Sequence, residues 1–300
     1  MTDRARAHRR DARGHDDDQA ATPIVTLLTD YGHDDEFVGV CHGVILSIAR
    51  EARIVDVTHG IPRHDVRRGA VVLRNALPYL PRGVHVAVVD PQVGTERRAL
   101  ALLCENRQVL VGPDNGVLSL AWERGGGVDL AVDVTRSPHR LEPVSASFHG
   151  RDLFAPVAAW IATGAEVADA GEPVDPATLE RIELPRSRVD ADGTLVAHAV
   201  TIDAYGNVAL NVTHEQLAGT GLMLGATAEI EVDSGEGGAA VKLGGGRIAA
   251  PFVSTFADVG AGEAILYEDA SRTLAIAINR GDAASELGLS PDDEVRLRPR

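Results

Sequence analysis

The sequence predicts two domains: an α/β N-terminal domain around a central, mostly parallel sheet, and an all-β C-terminal domain that forms a small antiparallel barrel. Three observations carry this. From Ile24 onward, short β-branched apolar runs alternate with helical patterns, the signature of a sheet covered by helices. Residues 173–193 turn rich in proline and charge and read as a linker. Across 194–300, short strands follow one another through turns. The division is therefore a tail at 1–22, an α/β domain at 23–172, the linker, and a β-domain at 194–300.

Taken in order, "IVTLLTD" (24–30) reads as a strand, residues 36–52 as a helix and "RIVDVTH" (53–59) as a second strand. Residues 65–80 read as a helix whose buried face carries Val66, Ala70, Leu73 and Leu77. Strands follow at 84–89, 99–104 and 108–112, then a helix over 153–164. In the second domain "TLVAHAVTID", "NVALNV", the segment around "TAEIEV", "AILYEDASRTLAIAIN" and "EVRLRPR" alternate as half-buried strands do. "DSGEGG" (233–238) reads as a hairpin tip; no helix follows these glycines, so they form no phosphate loop.

Bulk composition narrows the function. At 300 residues and 44% hydrophobic, the chain can bury one large core or two smaller ones. A formal charge of −15 argues against nucleic acid and anionic membranes as partners. Cys41 and Cys104 lie inside apolar runs, the pattern of reduced, buried, cytoplasmic cysteines rather than a disulfide frame or zinc site. No apolar run reaches the length of a membrane span. The tail has no aliphatic residue larger than alanine after Met1, and its Arg9-Arg10 pair is followed by Asp16-Asp17-Asp18, not by an export signal's apolar segment. It reads as disordered.

Seven segments could carry chemistry. In "TDYGHDDEF" (29–37) a strand ends at Asp30, suited to ribose hydroxyls, while Asp34 and Asp35 precede a helix and could simply cap it. "DVTHGIPRHDVRRGA" (56–70) gathers Asp56, His59, His64 and Asp65; the spacing fits no standard metal motif, Asp65 sits at a helix N-cap, and His59 reads as a structural histidine. In "VVDPQVGTERR" (88–98) Pro91 holds Asp90 extended and Gly94 permits a tight turn, setting Asp90 and Arg97 on opposite sides of one hairpin mouth; a surface ion pair is the plain alternative. "VGPDNGVLS" (111–119) is ordinary turn chemistry by itself. "SFHGRDLFAP" (147–156) puts His149 just ahead of Asp152, a possible helix cap. "IDAYGNVALNV" (202–212) bunches Asp203, Tyr205 and Asn207 at a turn, and "STFADV…INRGDAA" (254–284) places Phe256 and Asn279 near turns.

In this order the seven segments resemble one family across residues 24–298: the S-adenosyl-L-methionine (SAM) hydroxide adenosyltransferases, or adenosine-forming SAM hydrolases, homologues of the SAM-dependent fluorinase and chlorinase. The resemblance implies hydrolysis of SAM to adenosine and L-methionine, with no metal and no cofactor besides the substrate. It also implies a homotrimer whose sites lie between one subunit's α/β domain and a neighbour's β-domain. By motif, a catalytic set falls on Asp90, Arg97 and His149, with Arg97 and His149 binding and activating water and Asp90 orienting them. Substrate contacts fall on Asp30 (ribose), Asp35, Asp203 (the methionine amino group), Asn207, Tyr205 and Phe256 (adenine), and the backbone of Ala283.

Three positions depart from the family pattern. Gln92 replaces a glycine, His64 stands where many relatives carry an aromatic residue, and His42 replaces a common lysine. The rival readings are a halogenase on the same SAM site, a non-catalytic SAM- or adenosine-binding module, and a metal-dependent phosphoesterase using Asp30, His59 and Asp90. The family's halogenases lack the Asp–Arg–His set that this chain keeps.

Overall fold

A computed structural model describes residues 22–232 and 247–300; all but residue 22 of the expected tail at 1–22, and the hairpin tip at 233–238, lie outside the described residues. The N-terminal sheet contains β1 (Ile24–Thr29), β2 (Arg53–Thr58), β3 (Val84–Val88), β4 (Ala99–Cys104), β5 (Val109–Pro113), β6 (Val128–Asp133) and β7 (Glu172–Pro173), in the order β2-β1-β3-β5-β4-β6-β7. The β2, β1, β3 and β5 half is parallel, and β4, β6 and β7 extend it antiparallel.

Alternation along the strands makes this a three-layer structure. Val84, Val86 and Val88 of β3 face one core, under α1 (Phe37–Ile48) and α4 (Ala155–Ala162). Ala87 and Val89 face the other, under α2 (Val66–Ala76) and α3 (Ser119–Arg124), where Leu73 and Trp122 are buried. Neither α3 nor β6 was assigned from the sequence. The pattern over 128–133 alternates too weakly to stand out, because β6 packs on only part of its length.

Helix boundaries differ from the sequence reading for local reasons. Asp65 caps α2, accepting the Arg68 N–H at 2.8 Å, as expected. The helix ends at Ala76 because Pro78 turns the chain into a 3₁₀ turn, Leu77–Tyr79. Asp34 and Asp35 do not cap α1; Glu36 holds the cap position and makes no side-chain cap bond. Residues Gly150–Phe154 form a π-helical turn ahead of α4, so Asp152 lies inside that turn and is not an N-cap. Segment 173–193 runs along the α/β domain: Glu180 N–H donates to Asp114 Oδ1 (2.9 Å) and Ile182 N–H to Ser119 Oγ (3.1 Å).

The C-terminal domain consists of β8 (Arg188–Val189), β9 (Leu195–Ile202), β10 (Val208–Thr213), β11 (Thr227–Val232), β12 (Arg247–Pro251), β13 (Ala264–Glu268), β14 (Thr273–Ile278) and β15 (Glu294–Pro299). Its sheet is antiparallel, ordered β12-β11-β15-β9-β10-β14-β13, with β8 on β9. A Phe252–Leu266 bridge brings the two ends together, so the sheet is a nearly closed barrel around Val208, Ile230 and Ile276. Two short helices, α5 (His214–Leu217) and α6 (Ala283–Leu287), cover its ends. The domains meet where Val200 packs on Ala70, Val71 and Leu120, and where Arg67 pairs with Asp292. Among the described residues no helix is long and apolar enough to cross a membrane.

Candidate active site

Three parallel strands end side by side, and their C-terminal loops build the site: β1 delivers Asp30, the loop after β2 delivers Arg63 and His64, and β3 delivers Asp90. Asp90 and Arg97 do not face each other across a hairpin, because β5 lies between β3 and β4. Loop 91–98 crosses above β5 instead and brings Arg97 back over Asp90. Gly94 makes that crossing possible. Its φ of +80° favours glycine, and a Cβ there would sit 2.4 Å from the Ala146 carbonyl oxygen.

The Asp90–Arg97 pair is not a surface ion pair. The two side chains are 5% and 4% exposed, and Arg97 Nε donates to both Asp90 oxygens at 3.0 Å while Nη2 bonds Oδ2. A bidentate, desolvated guanidinium–carboxylate pair is geometrically fixed. Breaking it by removing one partner leaves a buried charge, at a cost of about 3–5 kcal/mol.

Arg97 Nη2 also bonds His149 Nδ1 at 2.9 Å. Arginine has no acceptor, so Nδ1 must accept, and neutral His149 carries its hydrogen on Nε2. Burial, aided by the Arg97 charge and opposed by Asp90, lowers the His149 pKa below the ordinary histidine value of 6.5. The imidazole is therefore neutral at pH 7. Its backbone comes from the start of the π-helical turn, an arrangement that recurs at functional sites.

Asp90 and His149 line a cleft of about 380 Å³, together with Asp30, Tyr31, Asp35, Phe37, Arg63 and His64, and Arg97 joins the two outside its lining. That volume suits a nucleoside-sized ligand. Asp30 Oδ2 accepts the His64 N–H at 2.9 Å, and His64 holds a left-handed φ of 65°. Tyr31, Phe37 and Phe148 form an aromatic wall, with ring centroids 5.0–5.9 Å apart. Gly150 lies against that wall: a Cβ there would fall 2.2 Å from the Tyr31 hydroxyl. Sequence reading missed the wall. The signal available was scarcity, since the chain has only five Phe and four Tyr, and two of these Phe and one Tyr meet here.

The β-domain residues form a separate cluster. Asp203 Oδ1 accepts the N–H groups of Tyr205 and Asn207, and Oδ2 accepts Asn207 Nδ2. Gly206 fits against Asp282, and its carbonyl accepts the Ala284 N–H, so the turn sits on the start of α6 beside buried Ala283. Phe256 packs on Tyr267 at 5.1 Å, and Asn279 Nδ2 donates to the Val259 carbonyl in the same loop. None of these residues lines the cleft, and Tyr205 is 80% exposed. Within one chain the structure thus assembles Asp30, Asp35, Asp90, Arg97 and His149, and apart from them Asp203, Tyr205, Asn207, Phe256 and Ala283.

Residues 25–171 match the SAM hydroxide adenosyltransferase N-terminal domain and residues 197–296 the C-terminal domain of the same family. The chain is 46% identical to an (R)-S-adenosyl-L-methionine hydrolase of Salinispora tropica, over 93% of this chain and 98% of that one. It is 35% identical to a Thermus thermophilus protein of the same name, over 91% and 98%. A fluorinase of Actinopolyspora mzabensis is 24% identical over 93% and 98%. Among solved structures, an uncharacterized conserved protein from Thermotoga maritima superposes with a TM-score of 0.82 at 30% identity, covering 91% of this chain and 99% of that one. The chain belongs to the SAM hydroxide adenosyltransferase family.

Proposed function

We propose that this protein hydrolyses S-adenosyl-L-methionine to adenosine and L-methionine by attack of water-derived oxygen at C5′. The observation that carries this reading is the hydrogen-bonded chain Asp90–Arg97–His149, whose two ends, Asp90 and His149, line the cleft. The new bond is C5′–O and the broken bond is C5′–S. The C–S electron pair returns to sulfur, methionine leaves as a neutral thioether, and the proton given up by water passes to solvent, balancing the sulfonium charge that is lost. A neutral leaving group needs neither a general acid nor a metal, so the reaction as proposed uses no cofactor.

The difficulty lies in the nucleophile, and the geometry addresses it with donors. Because Nδ1 of His149 accepts from Arg97, the imidazole meets the attacking oxygen as an Nε2–H donor. Arg97 N–H and His149 Nε2–H together favour hydroxide-like charge on that oxygen. Asp90 holds Arg97 in register. Asp30 and Asp35 are placed to bind the substrate's nucleoside side, and Tyr31, Phe37 and Phe148 to exclude water from it. The similar hydrolases are named for the (R) sulfonium epimer, which is the configuration to test first.

We further propose a homotrimer in which Asp203, Tyr205, Asn207, Phe256 and Ala283 complete a neighbouring subunit's cleft. Two features support this: the β-domain cluster stands apart from its own chain's cleft, and α1 with the β2 edge exposes Phe37, Leu46, Ile48 and Val55. A cytoplasmic setting is supported by the buried free thiols Cys41 and Cys104. Incubation with SAM followed by chromatography tests the reaction. Adenosine in step with methionine is expected. Tight SAM binding with no product would make the protein a binding module.

A further inference from the structure

On the other side of β1 from Asp90 lies a second histidine–carboxylate constellation, with no arginine in it. His42 projects from α1, and Asp56 and His59 come from β2 and its end. Asp56 Oδ1 lies 2.9 Å from His42 Nε2 and 3.0 Å from His59 Nε2, and all three ligand atoms fall within 4.8 Å of one another. Zinc–ligand bonds of about 2.0–2.2 Å put neighbouring donors about 3.3 Å apart in a tetrahedral shell, so each histidine need only draw back from Asp56 by a few tenths of an ångström.

The second observation is His59 itself. Its side chain is fully buried, yet Nε2 has no hydrogen-bond partner; its 3.0 Å approach to Asp56 is not aligned as a hydrogen bond. The other ring nitrogen is committed, with Nδ1 2.8 Å from Thr29 Oγ1. A ring fixed at one nitrogen, with the second aimed bare at a carboxylate and another imidazole, is how metal-ligating histidines are held. His42 and Asp56 are partly exposed, at 30% and 39%, which leaves an entry path and room for a water ligand.

We propose that this protein binds one divalent transition-metal ion of the zinc class through His42 Nε2, Asp56 and His59 Nε2, outside the catalytic cleft. Two imidazoles and one carboxylate favour Zn²⁺ and its neighbours over Mg²⁺ or Ca²⁺. The ion ties α1 to β2. Since the His59 carbonyl accepts the Gly32 N–H and its ring holds Thr29, the ion also braces the backbone that presents Asp30. The chemistry of SAM hydrolysis is not routed through it.

The test uses the tag-free full chain, stripped with chelator and titrated with Co²⁺ and Zn²⁺. Expected are one saturable equivalent at micromolar metal, visible Co²⁺ absorption that Zn²⁺ abolishes, and a rise in Tm of about 5 °C at saturating Zn²⁺. His42→Ala and Asp56→Asn, both at partly exposed positions, should each weaken binding about 10–100-fold and remove the Tm rise, while His64→Ala leaves both unchanged. No saturable binding by the wild type overturns the site. So does binding that persists in both variants, which would put the metal elsewhere, for example on His8 and His15.

Discussion

The two clusters proposed to form the substrate site are built differently. The α/β half is sunk into the core: Asp90 and Arg97 are nearly inaccessible, their charges neutralise each other, and His149 is locked to them. The β-domain half is a surface turn whose polar groups are satisfied largely within the turn, with Tyr205 projecting into solvent. The contrast teaches a division of labour. On the roles proposed above, groups that stabilise a transition state are preorganised inside a rigid domain, and groups that recognise the ligand's periphery sit on a loop that another surface can meet.

The sharpest way to break this division is to truncate one group in each half. His149→Ala should lower kcat by about 100–1,000-fold with little change in KM, since its donor acts on the attacking oxygen. Arg97→Lys should lose nearly as much, because lysine cannot span Asp90 and His149 together. Gly94→Ala, by contrast, should damage the fold as well: the strained φ and the Ala146 contact predict a lower Tm and a displaced Arg97.

Mixing tests the interface directly. A mixture of Asp90→Ala and Asp203→Ala chains, unfolded and reassembled together, should recover activity that neither variant has alone, because some clefts then combine two intact halves. No recovery in verified mixed trimers would place both halves in one subunit. Asn207→Ala alone should raise KM about 10-fold, the loss of roughly one hydrogen bond, while leaving kcat close to that of the parent.

The smallest expected effects are in pH. With the His149 pKa lowered, kcat/KM should hold down to about pH 6.5 and fall below it, as protonation of Nδ1 sets His149 against Arg97. An acid limb centred above that value would contradict the tautomer assigned here. Stability follows a related sign. His85, bonded to Thr26 and Gln108, has its pKa lowered by burial, so between the unfolded and folded values the unfolded chain binds more protons. Tm should therefore fall as pH drops below about 6.5.

Much of the α/β domain was legible because its strands are continuous apolar runs and Asp65 and Pro78 punctuate α2. The proposed catalytic role of Asp90, Arg97 and His149 was legible only through family resemblance. By itself "VVDPQVGTERR" allowed a surface ion pair, and no local signal says that loop 91–98 crosses β5 to bury Arg97 on Asp90. The aromatic wall, His64's left-handed backbone and the bare nitrogen of His59 depend on contacts between segments far apart in sequence. Gln92, the departure in that loop, is exposed and its carbonyl simply accepts from Thr95, so it leaves the Asp90–Arg97 pair intact.

The most direct test of the central claim is the nucleoside product formed from SAM in the presence of excess chloride, compared between the wild type and His149→Ala. Adenosine and equimolar methionine are expected from the wild type, with adenosine release reduced at least about 100-fold in the variant. Formation of 5′-chloro-5′-deoxyadenosine, or near-native adenosine release by His149→Ala, would contradict it.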